Sequence, residues 1–311
     1  MNGNPQNPTW SIVLAGGEGE RIRPLVTRWL GRHKPKQYCK FTGNRSMLEH
    51  TLDRADRISS PERKVTIIAR SHRSEASAQL MQHASGIVVE QPVNRDTAAG
   101  IFLPLSIVRA REPNATIVVY PSDHFVYPEE RFVEAVSQVV GAVEKMRGKL
   151  ILLGVTPDGL ELDYGWILPG QDLCYLDGCC VRAVEGFCEK PGFEEAKAVL
   201  DAGGLWNTLI FAAKVETLWK MGWRYVPEIM PQFEDLCSCI DALGQPWLLD
   251  EIYSGMPKRN FSSDLLTRAI ADIAVVQMDG VRWSDWGRPE RIVSTLSEMG
   301  KQPAFPLQCL G

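Results

Sequence analysis

The sequence predicts an α/β protein, a doubly wound, mixed and mostly parallel sheet covered by helices, with a smaller second lobe. Two observations carry that expectation. In the first half, short β-rich runs at Trp10–Leu14, Val65–Ala69, Ile87–Glu90, Thr116–Tyr120 and Leu150–Val155 alternate with segments of helical period at Ser46–Ile58, Arg73–His83, Asp96–Arg111 and Glu129–Met146. After about Thr156 that regularity loosens. Gly, Pro and Trp become frequent, and the β-rich runs are Gly165–Leu168, Val181–Glu189 and Thr208–Ala213, as expected of a half that extends the sheet and builds a lid. No internal repeat, low-complexity tract or Pro- or Ser-rich linker interrupts the chain. A single domain over 1–300 is therefore expected, with halves of about 1–156 and 157–300 and a tail over 301–311.

The 311 residues, 44% hydrophobic and 23% charged, have the composition of an ordinary globular protein. A formal net charge of -4 supplies no basic surplus for a nucleic-acid backbone. No run approaches the roughly 20 apolar residues that span a bilayer, and Met1–Pro8 is polar, so neither a membrane nor export is expected. Eight cysteines without a CxxC pair fit reduced thiols in a cytoplasmic setting. The nine tryptophans are expected in the core.

The strongest local signal is Ile12-Val-Leu-Ala-Gly-Gly-Glu-Gly-Glu-Arg21, a strand running into a loop with Gly16, Gly17 and Gly19 and then Arg21. Such a loop lets backbone N–H groups converge on an anion, with a guanidinium to match phosphate oxygens. A P-loop is excluded because Glu20 and Arg21 follow the last glycine. A dinucleotide fingerprint is excluded because Ile22 stands where its third glycine belongs. In His33-Lys-Pro-Lys-Gln37, Pro35 stiffens a loop from which Lys36 can reach bound phosphates.

Together, LAGGEGERIRPL and KPKQY resemble the signature of the sugar nucleotidyltransferases, and within them the mannose-1-phosphate guanylyltransferase branch. The resemblance implies that Gly16, Gly17, Gly19, Arg21 and Lys36 wrap a nucleoside triphosphate, with Leu14, Ala15, Arg95, Thr97 and Ser122 completing the nucleotide site. Glu18 and Glu20 stand where the family usually has small hydroxyl residues, and their charge repels a triphosphate unless it is turned to solvent or a metal.

Two further segments supply carboxylates. Thr116–His124 reads as a buried strand that places Asp123 just past its carboxyl end, and Val281–Gly287 offers Asp285 in a loop after a strand at Asp272–Met278. Magnesium takes one or two carboxylates and leaves its other positions to water and phosphate. PSDH and WSDWG resemble the family's two metal loops, which implies Asp123 and Asp285 as ligands of a Mg2+ cofactor. His124 reads as a loop-structuring residue.

Glu90–Gly100, which follows a strand and opens a helix, resembles the stretch that favours guanine. Asp163-Tyr-Gly-Trp-Ile167, Phe187-Cys-Glu-Lys-Pro191 and Leu205-Trp-Asn-Thr208 resemble the sugar-side motifs, implying Gly165, Glu189, Lys190 and Asn207 for the sugar phosphate. Leu209 stands where the family has glycine. The resemblance runs from Ile12 to about Leu296 and implies GTP and mannose 1-phosphate as small-molecule substrates, with no nucleic acid or membrane partner. A homodimer is left open. So are two other readings, namely the same chemistry with glucose 1-phosphate and UTP or dTTP, and a non-catalytic nucleotide-sugar-binding regulatory homologue.

Overall fold

The computed structural model describes residues 8–83, 85–176 and 178–310; residues 1–7 and 311 of the expected domain and tail lie outside it. Its strands are β1 (Thr9–Ala15), β2 (Lys64–Ala69), β3 (Ile87–Gln91), β4 (Thr116–Pro121), β5 (Phe125–Tyr127), β6 (Leu150–Val155), β7 (Gly165–Leu176), β8 (Cys179–Glu189), β9 (Leu205–Lys214), β10 (Ile273–Gln277) and β11 (Arg282–Ser284). The helices are α1 (Arg23–Leu30), α2 (Met47–Asp56), α3 (Arg73–Leu80), α4 (Asp96–Arg111), α5 (Glu129–Lys145), α6 (Phe193–Asp201), α7 (Val215–Tyr225), α8 (Met230–Ser238), α9 (Pro246–Tyr253) and α10 (Pro289–Glu298).

A sheet of nine strands is ordered β3-β2-β1-β4-β9-β6-β10-β8-β7, with β8 and β9 antiparallel to the rest. This is the mixed, mostly parallel sheet the sequence predicts. Alternation along each strand explains why both faces are covered. On β1, Trp10 and Ile12 enter one core while Val13 and Ala15 enter the other, and β4 divides Ile117 and Val119 from Val118 and Tyr120 in the same way. One core is closed by α4, α7 and α8, the other by α2 and α5. Helix α4 is buried continuously from Ala98 to Val108, so it behaves as a central core helix and not as an amphipathic cover. Helix α2 begins with a reciprocal Ser46–Glu49 capping box.

The second half is more regular than the sequence suggests. β7 pairs with β8 along most of its length, and its first three residues also pair with the start of β9. A separate ribbon of β5 and β11 escapes a reading of periodicity because each strand is three residues long. Within the segment read as a tail, Phe305 is buried against Trp29 and Phe41. Among the described residues no disulfide joins any of the eight cysteines. No helix among the described residues is long and apolar enough to cross a membrane.

Among the described residues, four non-glycine residues have positive φ: Asp96 (68°), Lys190 (50°), Leu209 (56°) and Trp286 (45°). Each lies in a motif that the sequence links to ligand binding. Leu209 therefore keeps the backbone of the family's glycine while carrying a side chain, which costs about 1 kcal/mol. Leu209→Gly should stay within about 1 kcal/mol of wild type in a urea melt, because relief of strain offsets the lost half-buried side chain. Ile210→Gly, at an ordinary φ in the core on the opposite face of the sheet, should lose at least about 3 kcal/mol.

Candidate active site

Parallel pairing of β1 with β4 sets Leu14 beside Pro121, so the glycine loop and the Asp123 loop leave the sheet at the same edge. The backbone N–H and hydroxyl of Ser122 both donate to the Leu14 carbonyl, at 3.0 and 2.7 Å, and lock the two loops together. The loop at Lys36–Tyr38 closes over them. Gln37 donates to the carbonyls of Ala15 and Gly17 at 2.9 and 2.8 Å, and the Tyr38 hydroxyl donates to Ala15 at 3.0 Å. Ala15 and Ser122 thus hold the frame of the loop, and their polar groups are engaged within the protein.

The charged centre is built around Asp285, whose side chain is 9% exposed. Its Oδ1 accepts hydrogen bonds from Tyr164 Oη, Arg291 and the Gly287 N–H, each at 2.8 Å, and its Oδ2 accepts from Arg21 at 2.8 Å. Lys36, 4% exposed, donates to the Asp285 backbone carbonyl and sits 2.8 Å from Asp123 Oδ2, so one ammonium ties the two aspartates together. Burial alone would raise Asp285, but Lys36, Arg21, the Gly287 N–H and Arg291 outweigh it and hold the carboxyl well below the usual range. Asp123 is also lowered: desolvation opposes ionisation, but Lys36 and His124 prevail, against the repulsion of Asp285. Gly287 leaves room for this arrangement. A Cβ at that position would lie 2.5 Å from Asp285 Oδ2 and 2.7 Å from Arg21 Cζ.

The acidic substitutions in the glycine loop have partners. Glu18 meets His72 at 3.1 Å and Glu20 meets Arg23 at 3.1 Å, and Glu18, Glu20 and His33 also bring ligand-type atoms within 4.8 Å of one another. Beside the loop is a cavity of about 130 Å3 lined by Leu14, Gly16, Gly17, Gln91, Asn94, Asp96 and Thr97, among others. Its far wall is pinned from the α9 side and from the segment after it. Gln91 donates to Tyr253 Oη at 2.9 Å, Arg95 to the Tyr253 carbonyl at 3.1 Å, and the Phe261 N–H to Thr97 Oγ1 at 2.8 Å. Arg95 and the Thr97 hydroxyl are thereby engaged with protein partners. Gly19 packs against the backbone of Lys36.

On the other side, strand register brings three of the predicted residues into one row, because Gly165 pairs with Glu189 on β8 and with Asn207 on β9. A Cβ on Gly165 would come 2.7 Å from Glu189 Oε2, so a glycine is needed for the glutamate to turn inward. Burial raises the Glu189 pKa, with Lys190 opposing and Asp96 adding. The Lys190 N–H donates to the Tyr164 carbonyl at 3.1 Å, and its ammonium lies 3.7 Å from Glu189.

The structure thus gathers Arg21, Lys36, Asp123 and Asp285 into one cluster, and Gly165, Glu189 and Asn207 into another. Tyr164 and Arg291 escaped the reading of the sequence. Tyr164 stands inside the DYGW motif, whereas Arg291 lies six residues past Asp285 on the first turn of α10 with nothing local to mark it.

With that geometry in place, the comparisons assign the class. A family model described as nucleotidyl transferase matches residues 10–302, and the chain belongs to that family. It is 32% identical over 234 residues to a mannose-1-phosphate guanylyltransferase of Salmonella montevideo, an alignment covering 73% of this chain and 46% of that protein. It is 30% identical over 289 residues to a mannose-1-phosphate guanylyltransferase of Escherichia coli (strain K12), covering 91% and 58%. The chain therefore spans about half the length of these relatives. The crystal structure of mannose-1-phosphate geranyltransferase from Thermus thermophilus superposes with a TM-score of 0.78 at 27% identity, covering 94% of this chain and 79% of that one.

His124, whose ring packs edge-on to Trp283 at 5.1 Å, is pushed down from 6.5 to about 4 by burial, which outweighs the attraction of Asp123. The unfolded chain takes up this proton near pH 6.5 and the folded chain only near 4, so the fold loses stability as pH drops through that window. Between pH 7 and pH 5 this loss is about 2 kcal/mol. Urea melts at the two pH values should show His124→Gln losing less than wild type by about that amount; equal losses would count against the assignment.

Proposed function

We propose that this chain transfers a guanylyl group from GTP to mannose 1-phosphate, giving GDP-mannose and pyrophosphate. The observation that carries the reading is the junction of Arg21, Lys36, Asp123 and Asp285 beside the glycine loop. Cations and carboxylates from four separate loops meet where a strand-to-loop turn offers its amides. In this reading an oxygen of the sugar phosphate attacks the α-phosphorus of GTP, and the bond to the β-phosphate oxygen breaks as pyrophosphate leaves. Catalysis is then positioning and charge neutralisation, with no covalent enzyme intermediate. The relatives' mannose-1-phosphate guanylyltransferase activity supports the choice of substrates.

Asp123 and Asp285 suit a divalent cation. Both are held ionised, and they are close enough that the charge of Asp285 opposes ionisation of Asp123 and that both share Lys36 as a partner. They would hold Mg2+, which when bound neutralises charge on the triphosphate. Arg21 is half exposed and free to turn from Asp285 Oδ2 to the β- and γ-phosphates. Lys36 is fixed between the two aspartates and acts in place. Lys190 addresses the incoming phosphate, while Glu189 and Asn207 address sugar hydroxyls beside Gly165. The half up to about residue 156 then serves mainly the nucleotide and 157–300 the sugar, and cysteines without a disulfide fit a cytoplasmic setting.

The test is pyrophosphate release from purified protein with Mg2+, using GTP, UTP, dTTP, CTP and ATP against mannose, glucose and galactose 1-phosphates. GTP with mannose 1-phosphate should give the highest kcat/KM. A peak at UTP or dTTP with glucose 1-phosphate would replace the substrates, and no release with any pair would leave a binding protein. Asp123→Ala and Asp285→Ala should each lower kcat at least ~100-fold with unchanged circular dichroism.

Arg21→Gln should weaken GTP binding at least ~10-fold. It should also tighten Mn2+ binding in the absence of nucleotide, because Asp285 Oδ2 loses its competing cation. Mn2+ affinity unchanged or weaker in this variant, measured by electron paramagnetic resonance, would count against the partner exchange.

A further inference from the structure

Phe125 lies two residues beyond Asp123, and Trp286 directly follows Asp285. Their rings stack with centroids 4.6 Å apart and planes 14° from parallel. This stacked pair also lines a second cavity, of about 290 Å3, together with Phe41, Tyr127, Arg54 and Lys301. Among the described residues, neither the glycine loop nor Arg21, Lys36, Glu189 or Asn207 lines it. It is a separate space that shares two loops with the charged centre.

The charges facing this cavity are unevenly satisfied. Arg45 is taken by Asp53, and Glu130 is 3.8 Å from Arg57. Glu129 is shared by His50 and Arg54, each at 3.5 Å. Two donors remain. Lys301 has no carboxylate partner among the described residues, and its ammonium lies 5.4 Å from the centroid of Tyr127. Arg54, 4% exposed, has a buried Nε–H without an acceptor, although its other nitrogens reach Thr51 Oγ1 at 2.8 Å and the His124 carbonyl at 3.5 Å. Burial pulls this guanidinium down to about 10. Glu129 already answers the charge of Arg54, but the buried Nε–H of Arg54 still lacks an acceptor, and an acceptor group bound beside it would remove that penalty.

We propose that this cavity is a regulatory site for a small organic anion with a flat aromatic body. Its acidic group takes the unmet donors of Arg54 and Lys301, and its ring lies against Phe125, Trp286 and Phe41. The occupant touches the residues that follow both aspartates, one of them Trp286 at a φ of 45°. Binding there shifts the two loops together and alters their affinity for a divalent cation, an effect that rests on the metal role proposed above.

The probe is 8-anilinonaphthalene-1-sulfonate, an aromatic sulfonate, titrated against the full chain by fluorescence and calorimetry. One saturable site is expected, weakened at least ~10-fold in Lys301→Glu and in Thr42→Trp, which fills the cavity from its rim. Both variants should melt like wild type. GTP should not displace the probe, and the probe should change Mn2+ affinity at least ~3-fold, with Mn2+ changing probe affinity by the same factor. Absence of saturable binding, wild-type affinity in both variants, displacement by GTP, or a Mn2+ affinity that the probe leaves unmoved would each overturn the proposal. Failure to bind Mn2+ with or without the probe would instead overturn the role given to Asp123 and Asp285.

Discussion

The constraint on which the site depends is that a nearly buried carboxylate, Asp285, must stay ionised. Taking such a group out of water costs several kcal/mol, and the cost is met only if most of its lone pairs find donors. Here they find the Tyr164 hydroxyl, the Gly287 N–H and the guanidinium groups of Arg291 and Arg21, with Lys36 on the backbone carbonyl next door. Those partners come from α10, the Lys36 loop, the glycine loop and the residue before β7. Satisfying one aspartate therefore fixes four segments relative to one another. The outer ring of charges repeats the logic, since Arg291 is also held by Glu161 and Arg288 by Asp163.

Backbone strain falls at the segments read as ligand-binding. Asp96, Lys190, Leu209 and Trp286 all adopt a left-handed conformation that L-residues avoid: Asp96 lines the cavity beside the glycine loop, Lys190 follows Glu189, the Leu209 N–H donates to Asn207, and Trp286 follows Asp285. Such residues persist only where their surroundings over-determine them. Asp96 shows how: its Oδ1 accepts from the Thr97 N–H at 2.6 Å and from Asn260 at 3.0 Å, and its N–H donates to Asn94 at 2.8 Å.

The strands of the first half were legible because each is a short apolar run bounded by loops with strong turn residues, and all but the edge strand β3 are buried on both faces. The glycine loop and the two aspartates were legible because local spacing marks them. What could not be read was convergence. The β5–β11 ribbon joins segments more than 150 positions apart through three residues on each side, too few to show a period. Arg291 and Tyr164 gain their meaning only when α10 and the start of β7 meet over Asp285. Gln37 stood inside a quoted motif, yet its task, carrying the carbonyls of Ala15 and Gly17, depends on a loop closing back across the sheet. Glu18 and Glu20 read as repulsive charge; Arg23 lies only three residues past Glu20, but the His72 partner of Glu18, 54 positions away, is visible only in three dimensions.

The row formed by Glu189, Gly165 and Asn207 is held by main-chain ladders on both flanks, whereas the opposite cavity is framed by turns and the start of a helix. These two halves of the cleft will respond differently to mutation. Changes among the ladder residues meet a rigid lattice and alter ligand choice in discrete, size-limited steps. Turns can lengthen, shorten or re-aim without unpicking the sheet, so divergence among relatives is easier to accommodate on that flank.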